Sequence, residues 1–88
     1  MSNNSNFDTL ATTIITLLGG KENLEFVNHC ATRLRVNVRD LSRVNQDGLK
    51  STKGVLGLSV QETSKEVQVI IGQTIEDVFS AVQKQVEI

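Results

Sequence analysis

One short segment, residues 28–35, combines side chains that together can bind an anion and attack an electrophile. It reads Asn-His-Cys-Ala-Thr-Arg-Leu-Arg and holds the single cysteine and the single histidine of the chain. Nearby cations lower the pKa of a thiol, and the thiolate is the nucleophilic form. Two arginines on one strand face can hold a phosphate by charge-assisted hydrogen bonds, and the amides of a tight turn can bind an anion. The pattern therefore favours attack of the Cys30 thiolate on phosphorus.

Less specific interpretations of the same residues stay open at this point. A single cysteine is more often a small buried apolar residue than a nucleophile. His29 taken alone is more often a structural or surface residue than a catalyst. Arg39 and Arg43 are typical of a solvated face. From residue types and spacing alone, phosphoryl chemistry is one of several hypotheses.

Two other functions of the segment are disfavoured by the rest of the sequence. A redox-active thiol pair needs a resolving cysteine, and the chain has one cysteine in all. A nucleic-acid-binding domain usually carries a basic excess and stacking aromatic residues. This chain has a net charge of −1, three phenylalanines, and neither Trp nor Tyr. We therefore expect no nucleic-acid partner.

Length and composition predict one ordinary globular domain. The chain has 88 residues, of which 39% are hydrophobic and 22% charged, and that length is enough for a single modest core. One cysteine excludes a disulfide framework and a multi-cysteine zinc site. The N-terminus lacks the pattern of a secretory signal, and no apolar run is long enough to span a membrane. A soluble cytoplasmic domain is expected, with residues 1–5 disordered.

The elements that position the segment follow from hydrophobic periodicity. Apolar residues recur at helical spacing from Phe7 to Leu18 and again from Ile75 to Val86. In residues 33–39, Leu34 and its aliphatic neighbours alternate with polar side chains, so the arginines of this strand share one wet face. The predicted order is α-β-β-α-β-β-α, an α+β fold. Its predicted elements are a helix ending at Gly19-Gly20, strands at 24–27, 33–39, 55–60 and 66–71, a turn at 28–32, a short helix at 44–50, and a last helix opening at Thr74.

The run Cys30-Ala31-Thr32-Arg33-Leu34-Arg35 resembles the phosphorylation-site signature of the B domain of enzyme II of the bacterial phosphoenolpyruvate-dependent sugar phosphotransferase system. The resemblance is to the glucose, sucrose and β-glucoside branch and covers nearly the whole chain. His29 before the cysteine is closer to the β-glucoside and sucrose members. One segment departs from the family pattern, because residues 61–66 are polar where many members have a glycine-rich turn. Other matching segments are Gly19-Gly20, Asp40, Gly-Leu-Lys at 48–50, Gly-Val at 54–55 and Gln-Val-Ile-Ile-Gly at 68–72.

The resemblance implies a fold and a role. The fold would be a four-stranded antiparallel sheet with three helices on one face, formed by residues 1–88 as a single B domain. The role would be that of a transferase component, in which Cys30 accepts a phosphoryl group from a phosphohistidine on an enzyme II A domain. Cys30 would pass it to a sugar bound in the membrane-embedded C domain during uptake. The domain would work in the cytoplasm, or at the cytoplasmic face of the inner membrane within a longer chain.

The resemblance also implies roles for single residues. Arg33 and Arg35 would act with Cys30 in catalysis, and Ala31, Thr32 and Arg33 would bind the phosphate. His29 and Asp40 are further candidates for the site. No metal ion and no cofactor is expected. The alternative is a non-catalytic sensory or binding module of the same fold.

Overall fold

The computed structural model describes residues 4–86, with side chains described from residue 7 onward. The predicted order of helices and strands, and the α+β class, are confirmed. The expectation of a disordered start falls partly on residues 1–3, which lie outside the described residues, whereas residues 4 and 5 belong to the first helix. The elements are α1 (Asn4–Leu17), β1 (Leu24–His29), β2 (Arg33–Val38), α2 (Gln46–Ser51), β3 (Gly57–Gln61), β4 (Glu66–Ile70) and α3 (Ile75–Val86), with short 3₁₀ turns at Lys21–Asn23 and Leu41–Arg43.

The four strands form one antiparallel sheet in the order β1-β2-β4-β3. The aliphatic side chains of β2 and β4 are buried beneath the helices, which confirms the alternation expected for β2. The opposite face of the sheet is open and carries Arg33 and Arg35. Because β2 pairs with β4, Arg35 lies directly opposite Gln68. The open face therefore brings polar residues of two central strands together.

A single apolar core lies between the sheet and the helices α1 and α3. Leu34 and Val36 of β2 are fully buried in it, as are Val67 and Val69 of β4. The residues predicted to form the inner stripe of α3 lie in or against this core, with Phe79 and Val86 partly buried. Burial of these side chains anchors β2 and β4, and so it positions the arginines on the outer face. The helical members of the core are Ala11, Ile14, Ile15, Leu49, Ile75, Val78, Ala81 and Val82, and Leu18 joins them from the turn after α1.

Several element boundaries differ from the sequence prediction by one or two residues, and the two largest differences among the strands are at the end of β1 and the start of β3. The turn predicted at 28–32 is wrong for Asn28 and His29, which continue β1 and pair with Arg35 and Leu34. Strand β3 begins at Gly57, later than the predicted start at residue 55. Both differences arise because pairing with a neighbouring strand decides where a strand ends, whereas single-sequence patterns do not contain the partner.

The polar β3–β4 hairpin accommodates its lack of glycine through Lys65. This residue has a φ of 58°, in the left-handed region that glycine normally occupies. That conformation costs a non-glycine residue about 1–2 kcal/mol. The Lys65 carbonyl accepts a hydrogen bond from Val38 N–H at 2.9 Å, and its ammonium donates to Arg39 O at 3.3 Å. These bonds tie the hairpin to the end of β2.

Asn23 is a buried polar residue that joins the end of α1 to the chain that leaves β2. Its side chain is 1% exposed and donates to Leu18 O at 2.7 Å and to Asp40 O at 3.0 Å. Its Oδ1 accepts from Asp40 N–H at 3.0 Å. Three backbone polar groups thus bond to one amide side chain, and of these Asp40 O also accepts from Arg43 N–H at 3.2 Å. Such bonds are expected for a buried amide.

We expect Asn23→Ala to lower the free energy of unfolding by about 3 kcal/mol, because it removes the partner of the buried Leu18 carbonyl and of the Asp40 amide. The matched control is Asn45→Ala. Asn45 is exposed and caps α2 by accepting from Gly48 N–H at 2.8 Å, so its loss should cost about 1 kcal/mol. Urea unfolding of both variants measures the difference. Equal losses for the two variants would contradict this account of Asn23.

Candidate active site

Cys30 occupies the tight turn between β1 and β2 at one end of the sheet. Its amide donates to Arg33 O at 2.9 Å, which closes the turn. The thiol is free and exposed. The alternative of a buried apolar cysteine is therefore wrong. A nucleophile placed in this way can be approached by a second protein.

The cysteine turn is anchored from the far side by the end of β4. The carbonyl of Thr32 accepts hydrogen bonds from the amides of Ile71 and Gly72, both at 2.9 Å. Gly72 has a φ of 96°, and a Cβ atom there would lie 3.2 Å from Leu56 Cδ1. The sequence predicted Gly72 only as the end of a strand. In the structure this glycine also lets the backbone reach the cysteine turn.

The surroundings of Cys30 favour the thiolate. The backbone amide of Thr32, hydrogen-bonded to the sulfur, is the largest cause that lowers the pKa of Cys30. Partial removal from water opposes this, while the Arg33 amide and the charges of Arg35 and Arg33 lower the pKa further. Amides that converge on one atom and two nearby cations form a site for an anion. The same groups can hold either a thiolate or a phosphoryl group on the sulfur.

Alkylation of Cys30 should show the lowered pKa directly. We expect the pH midpoint of its reaction with iodoacetamide to be lower in the folded domain than in the same chain unfolded in urea. Since the folded pKa is depressed, ionisation of Cys30 favours the folded state above the unfolded pKa, and this contribution is lost as pH falls through the folded pKa. The chain has one cysteine, so the signal is unambiguous. Equal midpoints in the two states would contradict the electrostatic account.

The two arginines of β2 are held by side chains of β4. Arg33 Nη1 donates to Gln68 Oε1 at 2.7 Å. Arg35 faces Glu66, with Nε 3.3 Å from Oε2 and Nη2 3.4 Å from Oε1. Gln68 Nε2 also donates to Glu66 Oε1 at 2.8 Å, so the four side chains form one network. Glu66 and Gln68 were not among the predicted site residues.

The carboxyl group of Glu66 is kept ionised by this network. The hydrogen bond from Gln68 is the largest cause that lowers its pKa, and the hydrogen bond and charge of Arg35 add to it against partial desolvation. The sequence carries a signal for these residues, because Glu66 and Gln68 alternate with buried valines. That signal becomes useful only when β4 is known to lie beside β2.

The His29 ring contacts the backbone of the cysteine turn and packs against α3. Its Nδ1 lies 3.1 Å from the carbonyl oxygen of Cys30. Its ring is tilted against the ring of Phe79, with centroids 4.4 Å apart. These contacts place His29 beside the turn and link the turn to α3.

Asp40 lies away from the cysteine turn. Its carboxylate accepts from Ser42 N–H at 3.0 Å and from Ser42 Oγ at 2.7 Å, which caps the 3₁₀ turn after β2. The intervening strand puts it about 20 Å along the chain from Arg33. The structure therefore does not bring this predicted candidate to the site, whereas Ala31 lies within the cysteine turn and is exposed.

Two further features of the described residues bear on function. Within residues 4–86, no group of three or more His, Cys, Asp and Glu is placed to hold a metal ion. In the same range, no helix has the length and apolar character needed to cross a membrane.

Comparison with protein families finds a match at the cysteine turn. The family model described as phosphotransferase system, EIIB, matches residues 12–45. That range contains β1, the cysteine turn and β2, together with the C-terminal part of α1.

Curated relatives match most of this chain. A PTS system beta-glucoside-specific EIIBCA component from Dickeya chrysanthemi is 42% identical over 76 residues, covering 86% of this chain and 12% of the relative. An arbutin-, cellobiose-, and salicin-specific EIIBC component from Escherichia coli K12 is 40% identical over 77 residues, covering 88% of this chain and 16% of the relative. The chain thus spans 12 to 16% of the length of these two relatives.

A solved structure has the same fold. It is the crystal structure of one domain of the PTS system IIabc component from Clostridium difficile, with a TM-score of 0.84 and 31% sequence identity. The match covers 94% of this chain and 85% of that domain. Similarity in sequence and similarity in fold therefore point to the same family.

Proposed function

The chain belongs to the EIIB family of the sugar phosphotransferase system, in the glucose, sucrose and β-glucoside branch, and we propose that its Cys30 carries a phosphoryl group. EIIB domains are transferase components of that system. The observation that carries the proposal is the exposed Cys30 thiol, whose sulfur accepts hydrogen bonds from the Thr32 and Arg33 amides beside two arginines. We also propose that residues 1–88 act as one B domain.

In the first step, the Cys30 thiolate attacks the phosphorus of a phosphohistidine on an A domain. The S–P bond forms as the P–N bond breaks, and the leaving imidazole nitrogen keeps the electron pair of that bond and takes up a proton from solvent. The amides of Thr32 and Arg33 are placed to receive the phosphoryl oxygens, and we assign the Ala31 amide to the same cradle. No extra reactant is needed, because the phosphohistidine supplies both the phosphorus and the leaving group.

In the second step, a sugar hydroxyl oxygen attacks the same phosphorus. The O–P bond forms as the S–P bond breaks, the thiolate leaves with the electron pair of that bond, and the hydroxyl proton passes to solvent. A thiolate stabilised by nearby cations is also a good leaving group. Arg33 and Arg35 stabilise the charge on the phosphoryl oxygens as it moves from sulfur to oxygen.

The partners follow from this chemistry and from the architecture of the relatives, which are EIIBCA and EIIBC components. We propose an A domain as phosphoryl donor and a C domain in the membrane as the site of the sugar acceptor, with transfer at the cytoplasmic face of the membrane. An exposed site suits transfer between proteins better than a deep pocket. Leu56 lies at the same end of the sheet and is 74% exposed, so it offers an apolar contact for a partner.

Intact-mass spectrometry tests this function. The domain is incubated with phosphoenolpyruvate, the general phosphotransfer proteins and an A domain, and Cys30→Ser is treated in parallel. We expect the wild type to gain the mass of one phosphoryl group and the variant to gain none. Absence of any gain with several A domains would overturn the proposal in favour of a non-catalytic sensory or binding module.

A further inference from the structure

Arg35 has two anionic neighbours, the Cys30 thiolate and the Glu66 carboxylate. The cysteine turn precedes Arg33 on the chain, and the charge of Arg35 acts on the Cys30 sulfur. Away from that turn, the Arg35 guanidinium faces Glu66, which pairs with Asn37 and whose side chain is 17% exposed against 43% for Arg35. A single guanidinium cannot align its donors fully with two anions that lie in different directions. Glu66 and an anion at Cys30 therefore compete for Arg35.

The contact between Arg35 and Glu66 is long and poorly aligned. The two closest approaches are 3.3 Å and 3.4 Å, longer than the usual length of a hydrogen bond between a guanidinium and a carboxylate. Arg35 Nε is buried and forms no hydrogen bond with any described residue, although Glu66 Oε2 lies 3.3 Å away. Glu66 itself is held at 2.8 Å by Gln68. Glu66 is thus fixed in place, while Arg35 retains a donor that a better placed anion would satisfy.

We propose that Glu66 is a positioning residue that holds Arg35 while Cys30 is unloaded and competes for it with the phosphoryl group when Cys30 is loaded. This inference rests on the proposed function. A phosphoryl group carries about −1.5 to −2 charges at neutral pH and therefore attracts Arg35 more strongly than one carboxylate does. The competition weakens the hold on the phosphoryl group, which favours its onward transfer to the acceptor.

The network extends the same effect to the second arginine. Gln68 accepts from Arg33 at 2.7 Å and donates to Glu66 at 2.8 Å. Arg33 must break its bond to Gln68, and Arg35 its contact with Glu66, when either arginine moves toward a phosphorylated Cys30. In the unphosphorylated domain, side chains of β4 therefore hold both guanidinium groups on the open face of the sheet, beside the site.

The test neutralises Glu66 without changing its shape. Glu66→Gln removes the charge and keeps an oxygen for Gln68, and Glu66→Ser replaces it if the first variant fails to fold. The matched control is Glu25→Gln, which also removes one carboxylate from an ion pair, that with Arg39 at 3.6 Å near the start of β1. Two quantities are measured: the pH profile of Cys30 alkylation by iodoacetamide, and the equilibrium of phosphoryl exchange with a phosphorylated A domain.

We expect Glu66→Gln to move the alkylation midpoint to lower pH, with a rate increase of about threefold below the midpoint. The phosphoryl equilibrium should shift toward the loaded B domain by about tenfold, because the phosphoryl group carries roughly twice the charge of a thiolate. Glu25→Gln should change neither quantity. Identical behaviour of the two variants, or a shift away from the loaded domain, would overturn the inference.

The two measurements also separate this inference from the function on which it rests. If wild-type protein takes up no phosphoryl group, the proposed function fails, and the role of Glu66 against a phosphoryl group fails with it. The alkylation profile still decides whether Glu66 holds Arg35 away from the thiolate. If the wild type is loaded and Glu66→Gln has an unchanged equilibrium, the inference alone is overturned.

Discussion

Cys30→Ser should reduce phosphoryl transfer through this domain by at least about a thousandfold. A serine hydroxyl stays protonated at neutral pH, so the amides of Thr32 and Arg33 have no anion to stabilise before the attack. A serine that did acquire a phosphoryl group would release it poorly, because an alkoxide is a worse leaving group than a thiolate. The serine oxygen that replaces the Cys30 sulfur is therefore a poor nucleophile in the first step and a poor leaving group in the second.

The loss caused by Cys30→Ser is separable from a loss of fold. Cys30 is exposed, so at a pH below the folded pKa of its thiol we expect the urea unfolding curve of the variant to match that of the wild type. Rates are measured as sugar phosphate formed by membranes that contain the C domain, with Cys30→Ala setting the background. A Cys30→Ser domain that sustains the normal rate would show that the phosphoryl group is carried elsewhere.

Arg33→Lys should slow transfer to the sugar by about a hundredfold, the scale of losing one donor that stabilises transition-state charge. Lysine keeps the positive charge but loses the planar pair of donors that matches phosphoryl oxygens. It also loses the Nη1 donor that now bonds Gln68 at 2.7 Å. The effect should be larger on the transfer rate than on loading at equilibrium, because charge is spread most widely in the transition state.

The matched control for this prediction is Arg39→Lys, just beyond the other end of β2. Arg39 donates to Glu22 O at 3.1 Å and pairs with Glu25 at 3.6 Å, both on the exposed surface. We expect its substitution to leave the transfer rate unchanged. Rapid-quench measurement of transfer from the loaded domain gives both rates. Equal rates for Arg33→Lys and the wild type would exclude a direct role of the guanidinium.

The parts of the fold that depend on local pattern were predictable from the sequence. The alternation of Leu34 and Val36 with arginines specifies which face of β2 is buried, because a strand has a period of two. The helical stripe of α3 follows in the same way from Ile75 and Val78. The run around Cys30 indicated both the turn and its chemistry.

The parts that depend on strand order were not predictable from pattern alone. Glu66 and Gln68 reach the arginines because β4 lies beside β2, and period-two alternation does not specify a neighbouring strand. The end of β1 was misplaced for a similar reason, since Asn28 pairs with Arg35 across the sheet. The Gly72 amide donates a hydrogen bond to the Thr32 carbonyl. These residues are 40 positions apart, so no local sequence pattern indicates the contact.

Phosphorus NMR of the loaded domain tests the central claim most directly, because it identifies the atom that is bonded to phosphorus. The chain has one cysteine and one histidine, adjacent at positions 30 and 29, so a sulfur-bound and a nitrogen-bound phosphoryl group are the two outcomes to separate. We expect one resonance at the chemical shift of S-phosphocysteine. It should be unchanged in His29→Gln and absent in Cys30→Ala. A phosphohistidine resonance that survives in Cys30→Ala would contradict the assignment of Cys30 as the carrier.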